Sequence, residues 1–397
     1  MKVGSVIVEE WKNIVKDRRL FAILFLIPIA YTVMFGYIYV NHKVTEMNTV
    51  IFDADQSQLS RQIIQAFDQH ETFKVVGEKD TEESVKQALS EGSAKVGIII
   101  PAGLESKLKH GDTPPVLALV DGSNMLISNG ATRGANEVIS TFSAGVTMKK
   151  LQQQGLQDEQ ISSTLAAIPF RYRVMYNPTF NYSDFMIYGL IGAILQQVLL
   201  LGIALAVTRD KEQGTWDRFR EWMHNPWRIA YAKSAPYLLI GLLNATIALL
   251  IALYWFHLPF HGAAVAMLLL VAGFTFAVLG IGYLVSMISG SQLASTQTAM
   301  LIAVPSFLLS GFTWPFEAMP SGLATAGKLL PLTYFLDGVR NVMVKGNDLT
   351  SVYRDCVVLG LMGVVTYFVS FLLTRFVVFR KNSSAAPAAA VDSTLAV

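Results

Sequence analysis

Six stretches of this chain are long and apolar enough to cross a bilayer as helices, which takes about 20 residues each. They lie near Leu20–Val40, Phe185–Thr208, Ala235–Phe256, Ala263–Ser289, Gln292–Trp314 and Val352–Phe379. Hydrocarbon offers no partner to backbone N–H and C=O groups, so each stretch is expected to be helical. Charged residues make up 15% of the chain, against about 25% in soluble domains. The sequence therefore predicts a polytopic α-helical membrane protein with six transmembrane helices. The first stretch follows Lys12, Lys16, Arg18 and Arg19, as the core of a secretory signal would. It is too long for that and no small-residue cleavage site follows, so it is expected to remain as an anchor.

Orientation follows from Lys and Arg in the short connections. One group (Lys2, Lys12, Lys16, Arg18, Arg19) precedes the first span. A second (Arg209, Lys211, Arg218, Arg220, Arg228, Lys233) separates the second from the third, and a third (Arg375, Arg380, Lys381) follows the sixth. The connection His257–His261 has none. Both termini are thus expected in the cytoplasm, with the segment 41–182 outside. That segment alternates strand-like stretches (Thr49–Phe52, Phe73–Val76, Val96–Ile100, Val116–Val120) with helix-like ones opened by Ser57 and Thr81. It is read as an extracytoplasmic α/β domain, with a helical stalk over Ser123–Gln160. Residues 1–19 are read as an amphipathic helix in the membrane interface, with Val3, Val6, Ile7, Trp11, Ile14 and Val15 on one face and Glu9, Glu10, Lys12 and Lys16 on the other. The remaining plan is a first span over 20–40, a five-helix domain over 183–380 and a disordered, low-complexity tail over 381–397.

Segment 315–345 is apolar enough to resemble a seventh span. It contains Lys328, Asp337 and Arg340, and burying three charges in lipid would cost on the order of 8–10 kcal/mol. Pro331 interrupts it as well. A re-entrant pair of short helices before the last span is the expected solution.

Several chemistries find little support. The single cysteine, Cys356, lies in an apolar run and excludes an internal disulfide. A net charge of +2 provides no field to recruit nucleic acid. Gly322-Leu-Ala-Thr-Ala-Gly-Lys328 fits a phosphate loop only in spacing: no Ser or Thr follows the lysine and no strand precedes it. His257 and His261 have metal-pair spacing, but Pro259 lies between them and no carboxylate adjoins them. After the first span, the polar residues inside spans are amides and hydroxyls, among them Gln196, Gln197, Asn244, Ser286, Ser295 and Ser306. An ion-driven pump usually needs a carboxylate there. Such a stripe either lines a substrate path or bonds across helix interfaces.

The most informative stretch is Thr208-Arg-Asp-Lys-Glu-Gln-Gly214-Thr215-Trp-Asp-Arg-Phe-Arg220. Thr215 is expected to cap a short helix with Trp216, Phe219 and Met223 on one face, stopped by Pro226. Exposed aromatics on a charged helix suit protein docking or the lipid headgroups.

Arg209-Asp-Lys-Glu-Gln-Gly-Thr215 resembles the signature loop of ABC-2-type transporter permeases. Leu309-Ser-Gly-Phe-Thr-Trp-Pro-Phe-Glu-Ala-Met-Pro320 and Pro331-Leu-Thr-Tyr-Phe-Leu-Asp-Gly-Val-Arg340 are similar to that family too. Val96-Gly-Ile-Ile-Ile-Pro101 and Val120-Asp-Gly-Ser-Asn124 resemble its subgroup with a large domain after the first span. The resemblance implies a permease subunit of an exporter, with no cofactor of its own and with ATP and magnesium in a separate ABC ATPase subunit. It implies a second permease copy, identical or paralogous, and leaves room for a periplasmic adaptor on the outer domain. It assigns ATPase coupling to the loop 209–233, with Glu212, Gly214, Thr215, Trp216 and Phe219 as the coupling residues. The path and its gate are expected at Gln292, Thr296, Phe312, Pro315, Asp337 and Arg340, and the substrate is expected to be a drug-like or lipid-like amphiphile. The implied location is a bacterial inner membrane. A membrane-anchored ligand receptor and an ion-coupled secondary transporter are the alternatives, and dependence on ATP separates both from an exporter.

Overall fold

The computed structural model describes residues 2–39, 44–110, 112, 114–153, 175–177, 181–222 and 225–384. It divides into a helical unit, Met1–Val40 with Met175–Val397, and a second unit, Asn41–Val174.

In the helical unit, six helices are long and apolar enough to cross a membrane: Arg18–Ile38, Tyr182–Glu212, Pro226–Trp255, Ala264–Ile288, Gln292–Leu309 and Leu349–Arg375. We call these the first to sixth spans. An amphipathic helix, Val3–Lys16, precedes them. Asp17 separates it from the first span by accepting from the amides of Arg19 and Leu20. The first span contains a π-helical turn, Ala22–Leu26, just before Pro28. Proline has no N–H to return to the carbonyl four residues back, which is that of Leu24. Asn244 of the third span supplies the missing donor at 2.7 Å. That polar residue therefore holds two helices together.

Three observed boundaries differ from the expected ones, each for a physical reason. Hydropathy ends a span at its first charge, whereas hydrogen bonding carries the helix on where those charges are paired within the protein. The second span runs to Glu212 and the third starts at Pro226, which opens that helix instead of stopping the previous one. Of the expected loop 209–233, only the stretch between them connects helices. The fifth span ends at Leu309, short of Trp314, because Gly311 adopts a left-handed conformation (φ +76°). The second and fourth spans approach closely at Gly282, where an added Cβ would meet the Ile203 side chain at 2.2 Å.

Between the fifth and sixth spans lie a short turn, Phe316–Ala318, and two short helices, Ser321–Gly327 and Pro331–Val339, the second extended by a π-helical turn to Val344. Neither helix is long enough to span. The last helix continues to Ser384, inside the expected tail, and the rest of that tail lies outside the described residues.

The second unit carries a four-stranded sheet in the order β2-β1-β3-β4, with β1 Met47–Asp53, β2 Phe73–Glu78, β3 Val96–Ile100 and β4 Leu117–Val120. β1 pairs in parallel with β2 and β3, and β4 is antiparallel to β3. Ser57 and Thr81 cap the helices Gln58–Asp68 and Glu82–Ser90 that make the crossovers. Ile51, Ile98, Ile100, Phe67 and Phe73 form the core together with Ala131 and Val138 of the long helix Met125–Gln153. The expected stalk beyond Gln153 lies outside the described residues.

Candidate functional site

The N-terminal helix, the end of the second span and the start of the third converge on a knot of charge. Val6, Glu10 and Ile14 recur every four residues and form the buried stripe of the helix, so Glu10 is only 1% exposed. Its carboxylate accepts from Arg209 at 2.6 Å, Lys233 at 2.7 Å and the Tyr237 hydroxyl at 3.0 Å. Lys233, fully buried, also lies 2.6 Å from the Asp210 carboxylate. Arg218 reaches Asp210 at 3.5 Å and pairs with Glu9. Three carboxylates thus meet three cations, and buried charges persist only when paired in this way. Burial by itself would raise the Glu10 carboxyl, but Lys233 and then Arg209 outweigh it and hold it below the ordinary carboxylate range. Each carboxylate of the knot thus faces at least one cation.

Sequence reasoning placed Glu10 on the polar face and missed the knot. The signal was present: Glu10 lies four residues from both Val6 and Ile14, and the topology sets Arg209 and Lys233 at the same end of the bundle.

The second span ends in a tight stop beside this knot. The Gly214 amide donates to the Lys211 carbonyl at 3.2 Å and the Thr215 amide to the Asp210 carbonyl at 2.9 Å. This pairing needs a left-handed residue between them, and Gly214 supplies it at φ +69°. The Thr215 hydroxyl donates back to the Asp210 carbonyl at 3.3 Å, so it closes the helix behind it instead of capping the one ahead.

A 3₁₀ helix, Trp216–Trp222, follows. Phe219 is fully buried and Trp222 nearly so, both packed with Val6, Ile229 and Ala232. The expected outward aromatic face therefore points inward, because the N-terminal helix offers it an apolar partner within the same chain. Trp216 is half-buried against Phe219, while Gln213, Gly214, Thr215 and Asp217 are exposed. Met223 lies outside the described residues. The exposed Glu212 accepts from the Gln292 backbone at 2.7 Å and from its side chain.

The residues expected to form a path and gate separate into two groups. Gln292 and Thr296 lie at the start of the fifth span, beside the loop. Phe312, Pro315, Asp337 and Arg340 gather past its far end, and an 18-residue helix is about 27 Å long. There Phe312 is buried, stacks on Phe185 at 4.9 Å and lies beneath the Arg340 guanidinium, also at 4.9 Å. Pro315 leads into the Phe316–Ala318 turn, and the exposed Asp337 accepts from Asn341 at 3.3 Å. Ser286 and Ser295 bond across helix interfaces, as Asn244 does. Gln196 does not: its carboxamide is buried with no hydrogen-bond partner among the described residues.

Six membrane-length helices with an ion-paired platform at one end define a polytopic membrane protein. Residues 18–372 match the family described as ABC-2 family transporter protein, and the chain belongs to that family. It is 25% identical over 354 residues to the probable multidrug ABC transporter permease YbhR of Escherichia coli, covering 89% of this chain and 93% of that protein. It is 22% identical over 348 residues to the probable multidrug ABC transporter permease YbhS of the same organism, covering 87% and 89%. Its identity to the inner membrane transport permease YhhJ, also of Escherichia coli, is 25% over 382 residues, covering 93% and 95%.

Proposed function

We propose that this chain is the permease subunit of an ATP-binding-cassette exporter in a bacterial inner membrane. Two permease chains, identical or paralogous, enclose the path, and a separate ATPase subunit binds and hydrolyses ATP with magnesium. The chain itself is a transport subunit and needs no cofactor. The observation that carries this reading is the stopped helix at Gly214 and the loop pinned after it, in a chain of this family. The loop presents Gln213, Gly214, Thr215, Asp217 and the edge of Trp216 for docking, while Phe219 and the charge knot hold it rigid.

The substrate is an amphiphile taken from the cytoplasm or inner leaflet, a class in keeping with the multidrug names of YbhR and YbhS. The fifth span borders its path. The helices Ser321–Gly327 and Pro331–Val339 enter from the outer side as a re-entrant pair, and Phe312 with Arg340 forms the gate. The α/β domain lies outside the cytoplasm, where a periplasmic adaptor has access to it.

Two outcomes test this. With Cys356 replaced, a cysteine at the exposed Ser143 should react with an impermeant thiol reagent in intact cells, and one at Gln213 only after lysis. The reverse pattern overturns the topology. Trp216→Ala should weaken co-purification of the ATPase by about 2 kcal/mol, the scale of an interface anchor, or roughly thirtyfold in affinity. Unchanged binding would remove Trp216 from the interface.

A further inference from the structure

The last two residues of the second span, Lys211 and Glu212, hold both sides of a single turn. Lys211 Nζ donates to the carbonyls of Ser286, Met287 and Ser289 at 3.0, 2.6 and 3.2 Å. These close the fourth span, whose final carbonyls have no partner within the helix. Glu212 accepts the Gln292 amide, the first of the fifth span, as well as the Gln292 side chain. The cation thus sits at a helix C-terminus and the anion at a helix N-terminus, the favourable arrangement at each.

Only Ser289, Gly290 and Ser291 separate the two helices. So short a connection limits how far the two helix ends can separate. Above the clamp, Ser286 accepts from the Val207 amide at 3.1 Å and Ser295 donates to the Ala204 carbonyl at 2.7 Å. Two residues below it, Gly214 begins the docking loop.

We infer that Lys211 and Glu212 are positioning residues that transmit movement of the docking loop to the fifth span through the turn Ser289–Ser291. The inference rests on the exporter reading and deepens it: the loop is the input, and the wall of the path is the output. It gives Glu212 a role within its own chain in place of a contact on the ATPase.

The test uses the full complex of permease and ATPase, with Cys356 replaced and spin labels on Leu301 of the fifth span and Leu239 of the third, both exposed. The distance between the labels is measured with and without ATP, using an ATPase variant that binds but does not hydrolyse. The unaltered clamp should give an ATP-dependent change. Lys211→Met with Glu212→Gln should still bind the ATPase but lose that change, and Glu212→Asp, which keeps the charge, should retain it. If the double variant responds like the parent, or the parent shows no change while bound to the ATPase, the clamp does not transmit and the inference is overturned alone. If the parent binds no ATPase, the exporter reading falls with it. A double variant that loses the native elution volume in detergent is replaced by each single variant, to which the same outcomes apply.

Discussion

Glu10→Ala should destabilise the helical unit by about 3–5 kcal/mol, the scale of a buried ion pair that loses one partner. The substitution deletes more than one interaction. Arg209 and Lys233 both lose their shared carboxylate inside the protein, and Asp210 is left to neutralise what two acids balanced before. Glu9 provides the control. Its carboxylate pairs with Arg218 but is 43% exposed, so Glu9→Ala should cost less than about 1 kcal/mol. Thermal unfolding in detergent reads both, and equal midpoints for the two variants would mean that the knot carries no special weight.

The gap should also depend on pH. Glu10 is held below the ordinary carboxylate range in the folded protein. Its contribution is therefore complete above the unfolded-state value of about 4.3 and is lost as pH falls through the lower folded value. The difference between parent and Glu10→Ala should accordingly shrink in acid and stay constant near neutrality.

Phe219→Ala should have an effect of similar size, about 3–5 kcal/mol, because it empties a fully enclosed aromatic site. The ring packs between Trp216 at 5.4 Å and Trp222 at 6.0 Å, with Arg218 4.8 Å from its centroid. Its loss frees the loop from the N-terminal helix. We expect faster proteolytic cleavage between Gln213 and Asn225, together with weaker ATPase co-purification although no docking atom has been removed. Phe219→Leu, which keeps most of the volume, should fall between the parent and Phe219→Ala. Cleavage as slow as in the parent would show that the loop is anchored by other contacts.

Much of this architecture was legible because lipid and the strand period each impose a simple rule. The spans were visible as apolar runs, and the crossover helices of the α/β unit announced themselves through Ser57 and Thr81. What escaped reading depended on which partner a side chain finds. Phe219 and Trp222 look like docking aromatics until the N-terminal helix is seen to cover them. Glu10 looks like a surface acid until Arg209 and Lys233 arrive from residues 199 and 223 positions downstream. Gln292 reads as a path residue from its place in a span, and no local pattern announces the bonds that the fold gives it to Glu212. The spacing of Glu10 between Val6 and Ile14 hints that it is buried, but the partners that such distant pairings select become visible only in the fold.

The proline in the first span has a consequence for how the protein is made. Pro28 leaves the Leu24 carbonyl without its helical donor, and the replacement, Asn244, lies 220 residues later. At a synthesis rate of about 5–20 residues per second, that donor leaves the ribosome roughly 10–40 s after the carbonyl has been translated. The first span therefore enters the bilayer with an open acceptor, which the translocon, a lipid headgroup or water must satisfy until the third span arrives. Its final seat forms only once the third span has been translated, so this helix is inserted well before its own hydrogen bonding is complete.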